Sequence, residues 1–125
     1  MTFADHVLAF TRNLRLPDIP LPPDFEWLFP YSQPETMAAL TAFYQKYYTD
    51  SQPRNFMFGI NPGRFGAGIT GVPFTDPVRL ETECGIQNDF PKKQELSAQF
   101  VWMFIHAYGG AEAFAGNFIS PPCRR

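Results

Sequence analysis

The chain has 125 residues, of which 45% are apolar, 17% aromatic and 18% charged, with a net charge of −2 from ten basic and twelve acidic side chains. That composition fits one domain and excludes disorder of the whole chain, because disordered chains lack aromatics and carry high net charge. It also excludes a broadly basic phosphate-binding surface, and no apolar run approaches the ~20 residues of a bilayer span.

Thr2 followed by Asp5 has the form of an N-terminal helix cap. Phe3, Val7, Phe10 and Leu14 then recur on one helical face, so residues 1–16 are expected to form a helix packed through that stripe and ending before Pro17. Asp5 and His6 interrupt the first apolar stretch, which is therefore not expected to be a signal peptide. Residues 17–34 hold six of the thirteen prolines. Proline lacks an N–H and fixes φ, so this is read as an extended strap. Its Phe25, Trp27, Leu28, Phe29 and Tyr31 are expected to hold it against the domain.

Ser32-Gln33-Pro34-Glu35 reads as a capping box opening a helix over 35–50. Met37, Leu40, Phe43, Tyr44, Tyr47 and Tyr48 follow at helical spacing and are assigned to the core. Residues 55–60 form a short apolar run expected to be a central parallel strand buried on both faces. The loop that follows, within residues 55–77, contains four Gly and three Pro between 61 and 77. Asp76-Pro77 starts a short helix. Ser97 is expected to cap another, with Phe100, Met103, Phe104, Ala107 and Tyr108 as its face and Gly109-Gly110 as its end. Ala111–Ala115 adds a turn, and Asn117–Ser120 reads as a second strand closing the 97–120 segment. The order helix, strap, helix, strand, loop, helices, strand implies an α/β fold, a sandwich with a central parallel sheet.

Charge is uneven along the chain. Residues 1–50 carry three basic and six acidic groups, and residues 51–125 carry seven and six. A polyanion is expected to meet the second part. Cys84 and Cys123 are too few for a disulfide framework or a cysteine-ligated iron–sulfur cluster, so a reduced, cytoplasmic setting is expected. His6, Cys84, His106 and Cys123 lack compact ligand spacing, and no metal site is assigned.

The chemistry concentrates in Gly59-Ile-Asn-Pro-Gly-Arg-Phe-Gly-Ala-Gly-Ile-Thr-Gly-Val-Pro-Phe74. It leaves the carboxyl end of the first predicted strand, the edge where open parallel sheets bind ligands. It lacks the ending of a P-loop. Gly66-x-Gly68-x-x-Gly71 matches a dinucleotide fingerprint, but extended Val72-Pro73 follows where a helix is required. Asn61 is the one polar side chain at the strand end. An amide can hold a water by donating and accepting at once, yet cannot act as a strong base. That suits cleavage through an oxocarbenium-like state. Capping of its own turn is the alternative role for Asn61.

This segment resembles the first active-site motif of the uracil-DNA glycosylase superfamily. Gly59–Gly63 is shared in form with the mismatch-specific branch. The continuation Arg64-Phe-Gly66 through Thr70–Phe74 is similar to the single-strand-selective monofunctional branch, of bacterial type. The order of Phe100–Phe104, then Gly110 to Ser120, follows that branch as well. The resemblance covers about the N-terminal half of such a domain, so the three-layer sandwich is expected to be incomplete in this chain. It implies a repair glycosylase that hydrolyses the N-glycosidic bond of uracil or a modified pyrimidine in DNA, without metal or organic cofactor. Asn61 would position the attacking water. The Ile60 amide would contact the flipped base, Gly63 would pass close to its 5-position, and Phe74 would stack on it. Arg64 and Arg79 would contact backbone phosphates. The family's pyrimidine-reading Asn falls on Pro121, and its later His motif has no counterpart, since His6 and His106 both lie in predicted helices. The alternative is a non-catalytic remnant or DNA-binding module of the same fold.

Overall fold

In a computed structural model the described residues are 1–120. Helix α1 (Phe3–Asn13) opens with the expected cap: the Asp5 N–H donates to Thr2 Oγ1 (3.1 Å) and the Thr2 N–H to Asp5 Oδ2 (2.9 Å). Its buried face is shifted from the predicted stripe. Ala4, Val7, Leu8 and Thr11 face inward while Phe10 is exposed. Thr11 tolerates burial because its hydroxyl donates to the Val7 carbonyl (2.7 Å).

The strap carries no regular structure until a 3₁₀ turn at Pro30–Ser32. Tyr31 is buried and Trp27, Leu28 and Phe29 are half-buried, but Phe25 lies in solvent. Helix α2 (Pro34–Tyr47) starts with Gln33 at the cap position and no side-chain cap, which corrects the Ser32 capping box. Pro34 takes the first helical position, where its missing N–H costs nothing, and this puts Glu35 out of register with Ser32. Leu40, Tyr44 and Tyr48 are buried as expected.

Strand β1 (Asn55–Phe56) pairs in parallel with strand β2 (Phe118–Ile119), in the register Asn55 to Phe118 and Phe56 to Ile119. The Met57 N–H continues the ladder to the Ile119 carbonyl (2.9 Å). The parallel pairing is as predicted, but burial of the first strand on both faces is not. Phe56, Phe58 and Ile60 are exposed, because among the described residues the sheet has two strands and nothing covers the other side of β1. The described residues thus form a mixed helical domain on a two-stranded parallel sheet, not a central sheet between full layers.

A one-turn helix α3 (Ala67–Thr70) forms inside the Gly-rich loop. Helix α4 (Pro77–Thr82) starts as predicted, with Asp76 accepting the Arg79 N–H (2.9 Å). Helix α5 (Leu96–Tyr108) begins after Glu95, not at a Ser97 cap. The Glu95 N–H donates to Asp76 (3.0 Å), and this holds Glu95 extended just before the helix. Its buried face is Ala98, Trp102 and Ile105. The predicted stripe of Phe100, Met103, Phe104 and Tyr108 faces solvent instead. Helix α6 (Ala111–Asn117) leads into β2.

Two apolar clusters share α2. One joins Leu40, Tyr44 and Tyr48 to α1, Tyr31 and Ile119. The other joins Ala39 to Val72, Leu80, Cys84, Trp102 and Ile105, with Phe43 and Tyr47 packed against both. The Tyr44 hydroxyl donates to the Ser120 carbonyl (2.7 Å) and the Tyr48 hydroxyl to the Phe118 carbonyl (2.9 Å), so α2 fixes β2. Among the described residues no helix is long and apolar enough to cross a membrane. The predicted features at Pro121 and Cys123 lie outside the described residues.

Candidate active site

The loop after β1 is held by threonines. Thr70 is fully buried. Its hydroxyl lies 2.8 Å from the Thr75 carbonyl and accepts the Val72 N–H (3.1 Å). The Trp102 indole N–H donates to Thr75 Oγ1 (3.2 Å), tying the end of the loop to α5. Thr36 on α2 donates to the Ile69 carbonyl (2.7 Å). Leu28 of the strap packs over Gly68 so closely that a Cβ there would stand 2.9 Å from its methyl.

These anchors hold Phe74 at φ 55°, the one non-glycine among the described residues in the left-handed region. Such a conformation costs an L residue about 1–2 kcal/mol and persists where the surroundings over-determine it, often at functional sites. Here Pro73 precedes it and the doubly anchored Thr75 follows it. The ring comes to rest against Gly59, whose absent Cβ would stand 3.4 Å from Phe74 Cζ.

One hollow is lined by Tyr31, Ile60, Asn61, Gly63, Phe74, Glu95, Ser97 and Ser120. It brings together Ile60, Asn61, Gly63 and Phe74 from the predicted set. Asn61 is half-buried, and its amide makes no hydrogen bond among the described residues, so it does not cap its own turn and is open to a ligand. Asn61 and Pro62 also line a second hollow, shared with Phe25, Trp27 and Arg64.

Glu95 was not anticipated. Its Oε1 accepts the Phe65 N–H (2.7 Å), and its carboxylate fills the space where a Cβ on Gly63 or Gly66 would stand. The glycines of this loop therefore make room for a carboxylate delivered by the N-terminus of α5. That partner is thirty residues away in sequence and leaves no local signal.

Arg79 is not gathered into the hollow. Its guanidinium pairs with fully buried Asp76 (3.0 Å) and donates to Gln94 (3.2 Å), which accounts for its charge inside the fold. His106 lies on the surface with Nε2 2.9 Å from a Glu83 carboxylate oxygen, and His6 is exposed on α1. Among the described residues no group of His, Cys, Asp and Glu is arranged to hold a metal ion.

The architecture has a counterpart among solved structures. Over 96% of its length the chain is 48% identical to the wild-type SMUG2 protein of Pedobacter heparinus, with a TM-score of 0.89. The matched region is 52% of that protein, so this chain spans about half the length of the structure it matches. No protein-family model matches the chain, and a search of curated proteins finds no match.

Proposed function

We propose that this SMUG-like chain, built on a uracil-DNA glycosylase-like fold, carries the water-positioning and base-stacking part of a glycosylase site. The substrate is DNA containing uracil or a modified pyrimidine, and the reaction is hydrolysis of the N-glycosidic bond. The observation that carries the reading is the pairing of Asn61 with Phe74 in one hollow, the first with an uncommitted amide and the second with a constrained backbone.

A base flipped out of the stack needs a flat apolar surface, and stacking on an aromatic side chain contributes about 1–3 kcal/mol per base. The Phe74 ring supplies that surface. The Ile60 N–H, which donates no backbone hydrogen bond among the described residues, would meet a base carbonyl, and Gly63 would pass close to the base. The Asn61 carboxamide accepts from a water and donates to it, holding its lone pair toward the anomeric carbon as the glycosidic bond lengthens. No strong base is needed, because the developing oxocarbenium is itself a strong electrophile. Release of free base from a uracil-containing oligonucleotide, compared between this chain and Asn61→Ala, tests the reading.

Binding without base release is favoured by one observation. Neither histidine reaches the hollow, so no imidazole among the described residues stabilises a departing uracil anion, usually a large part of such catalysis. In that case DNA binds with the salt dependence of phosphate contacts and no free base appears.

A further inference from the structure

We propose that the exposed ring of Phe65, with the two cations gathered over it, is a second DNA-contact site that takes phosphodiester groups of the strand beside the flipped nucleotide. It rests on reading residues 59–74 as a glycosylase loop. Lys93 Nζ stands 4.4 Å from the Phe65 ring centroid, and Arg64 Cζ stands 6.0 Å from it. All three side chains are exposed. Two like charges around one ring repel each other, and the negative face of the ring offsets part of that cost.

Three other cations are paired with carboxylates, Arg54 with Asp50, Arg79 with Asp76 and Lys92 with Glu81, and Lys46 and Arg15 donate to backbone carbonyls. Arg64 and Lys93 have no ion pair among the described residues. The facing acid is Glu95, whose carboxylate is pinned to the Phe65 N–H and pairs with neither cation. Asp24 and Glu26 line the same hollow as Arg64 but form no ion pair with it. That hollow is also lined by Asn61, so Arg64 borders the candidate site, and Lys93 joins it through the shared Phe65 ring. A guanidinium fork and an ammonium both bind phosphate oxygens, and in a chain of net charge −2 this is an unneutralised positive spot beside the site.

The test is binding of the full chain to a short fluorescent oligothymidine across a salt series, for Arg64→Gln, Lys93→Gln, Phe65→Leu and Lys92→Gln. Each of the first two is expected to weaken binding about 3- to 10-fold and to lower the salt slope by about 0.7. Phe65→Leu, which keeps the bulk but not the ring, weakens binding in the same direction. Lys92→Gln changes neither quantity, because its ammonium is held by Glu81 and Asn88. Equal effects at Lys92 and Lys93, no effect at Arg64 and Lys93, or no binding at all overturns the proposal. Base release separates it from the parent reading. Rim-dependent binding without Asn61-dependent base release keeps the rim and rejects the glycosylase. Asn61-dependent base release with affinity and salt slope indifferent to the rim does the reverse.

Discussion

The Phe74 ring lies against the α-carbon of Gly59, filling the space next to the position a Cβ would occupy 3.4 Å from Cζ. This contact joins the two ends of the loop, the exit of β1 and the approach to α4. It is reached only because Phe74 takes φ 55°. Phe74→Gly removes the ring and relieves the backbone, whereas Phe74→Ala removes the ring alone. Urea denaturation is expected to find the Gly variant more stable than the Ala variant by about 1 kcal/mol, the reverse of the order in an ordinary loop. An Ala variant equal to or more stable than the Gly variant means the backbone is not strained.

Gly63 and Glu95 compete for one volume. A methyl on Gly63 displaces the far end of a flexible side chain, so Gly63→Ala expels the Glu95 carboxylate and breaks its bond to the Phe65 N–H. The cost is about 1.5–3 kcal/mol, that of a lost hydrogen bond to a charged group. Glu95→Ala removes the same bond. The double variant should therefore be about as stable as either single one, a coupling that denaturation of all four proteins measures. Simple additivity of the two losses would show that the carboxylate does not occupy this space.

Burial sets a limit at alkaline pH. The Cys84 thiol, enclosed between α2, α4 and α5, is pushed from 9.0 up to about 12 by loss of solvation, and burial raises the Tyr48 phenol from 10.0. Below pH 9 both groups are protonated in the folded and unfolded chains, and stability is unaffected. Between 9 and about 12 the unfolded chain releases the thiol proton and the folded chain keeps it, so stability falls as pH rises. The loss attributable to Cys84 between pH 9 and 10 is about 1 kcal/mol, and Cys84→Ala should flatten that onset in urea melts while the phenol still acts above it.

Much of this was legible locally. The Thr2–Asp5 cap, the Asp76-Pro77 helix start and the Leu40–Tyr44–Tyr48 stripe each depend on residues a few positions apart. The site loop was legible as a motif, and Ile60, Asn61, Gly63 and Phe74 do share one hollow. Helix α5 was misread because it carries two apolar stripes. Periodicity cannot say which one turns inward, and Trp102 decides it by finding Thr75. The exposed face of β1 was misread because an apolar run shows that a strand can be buried, not that this stretch of chain supplies the cover. The role of Glu95 in the loop and the second bond of Asp76, to the start of α5, could not be found from spacing, since they span 30 and 19 residues.

The role proposed for Asn61 is to position a water for glycosidic cleavage. Its most direct test is single-turnover release of free uracil from a single-stranded oligonucleotide by the chain and by Asn61→Ala, with equal folding verified by circular dichroism. Measurable release by the chain and a drop of about 10²–10³-fold in the variant are expected, the scale of removing one positioned polar group from a catalytic site. Equal rates in the two proteins, or no release above the uncatalysed background, contradicts it.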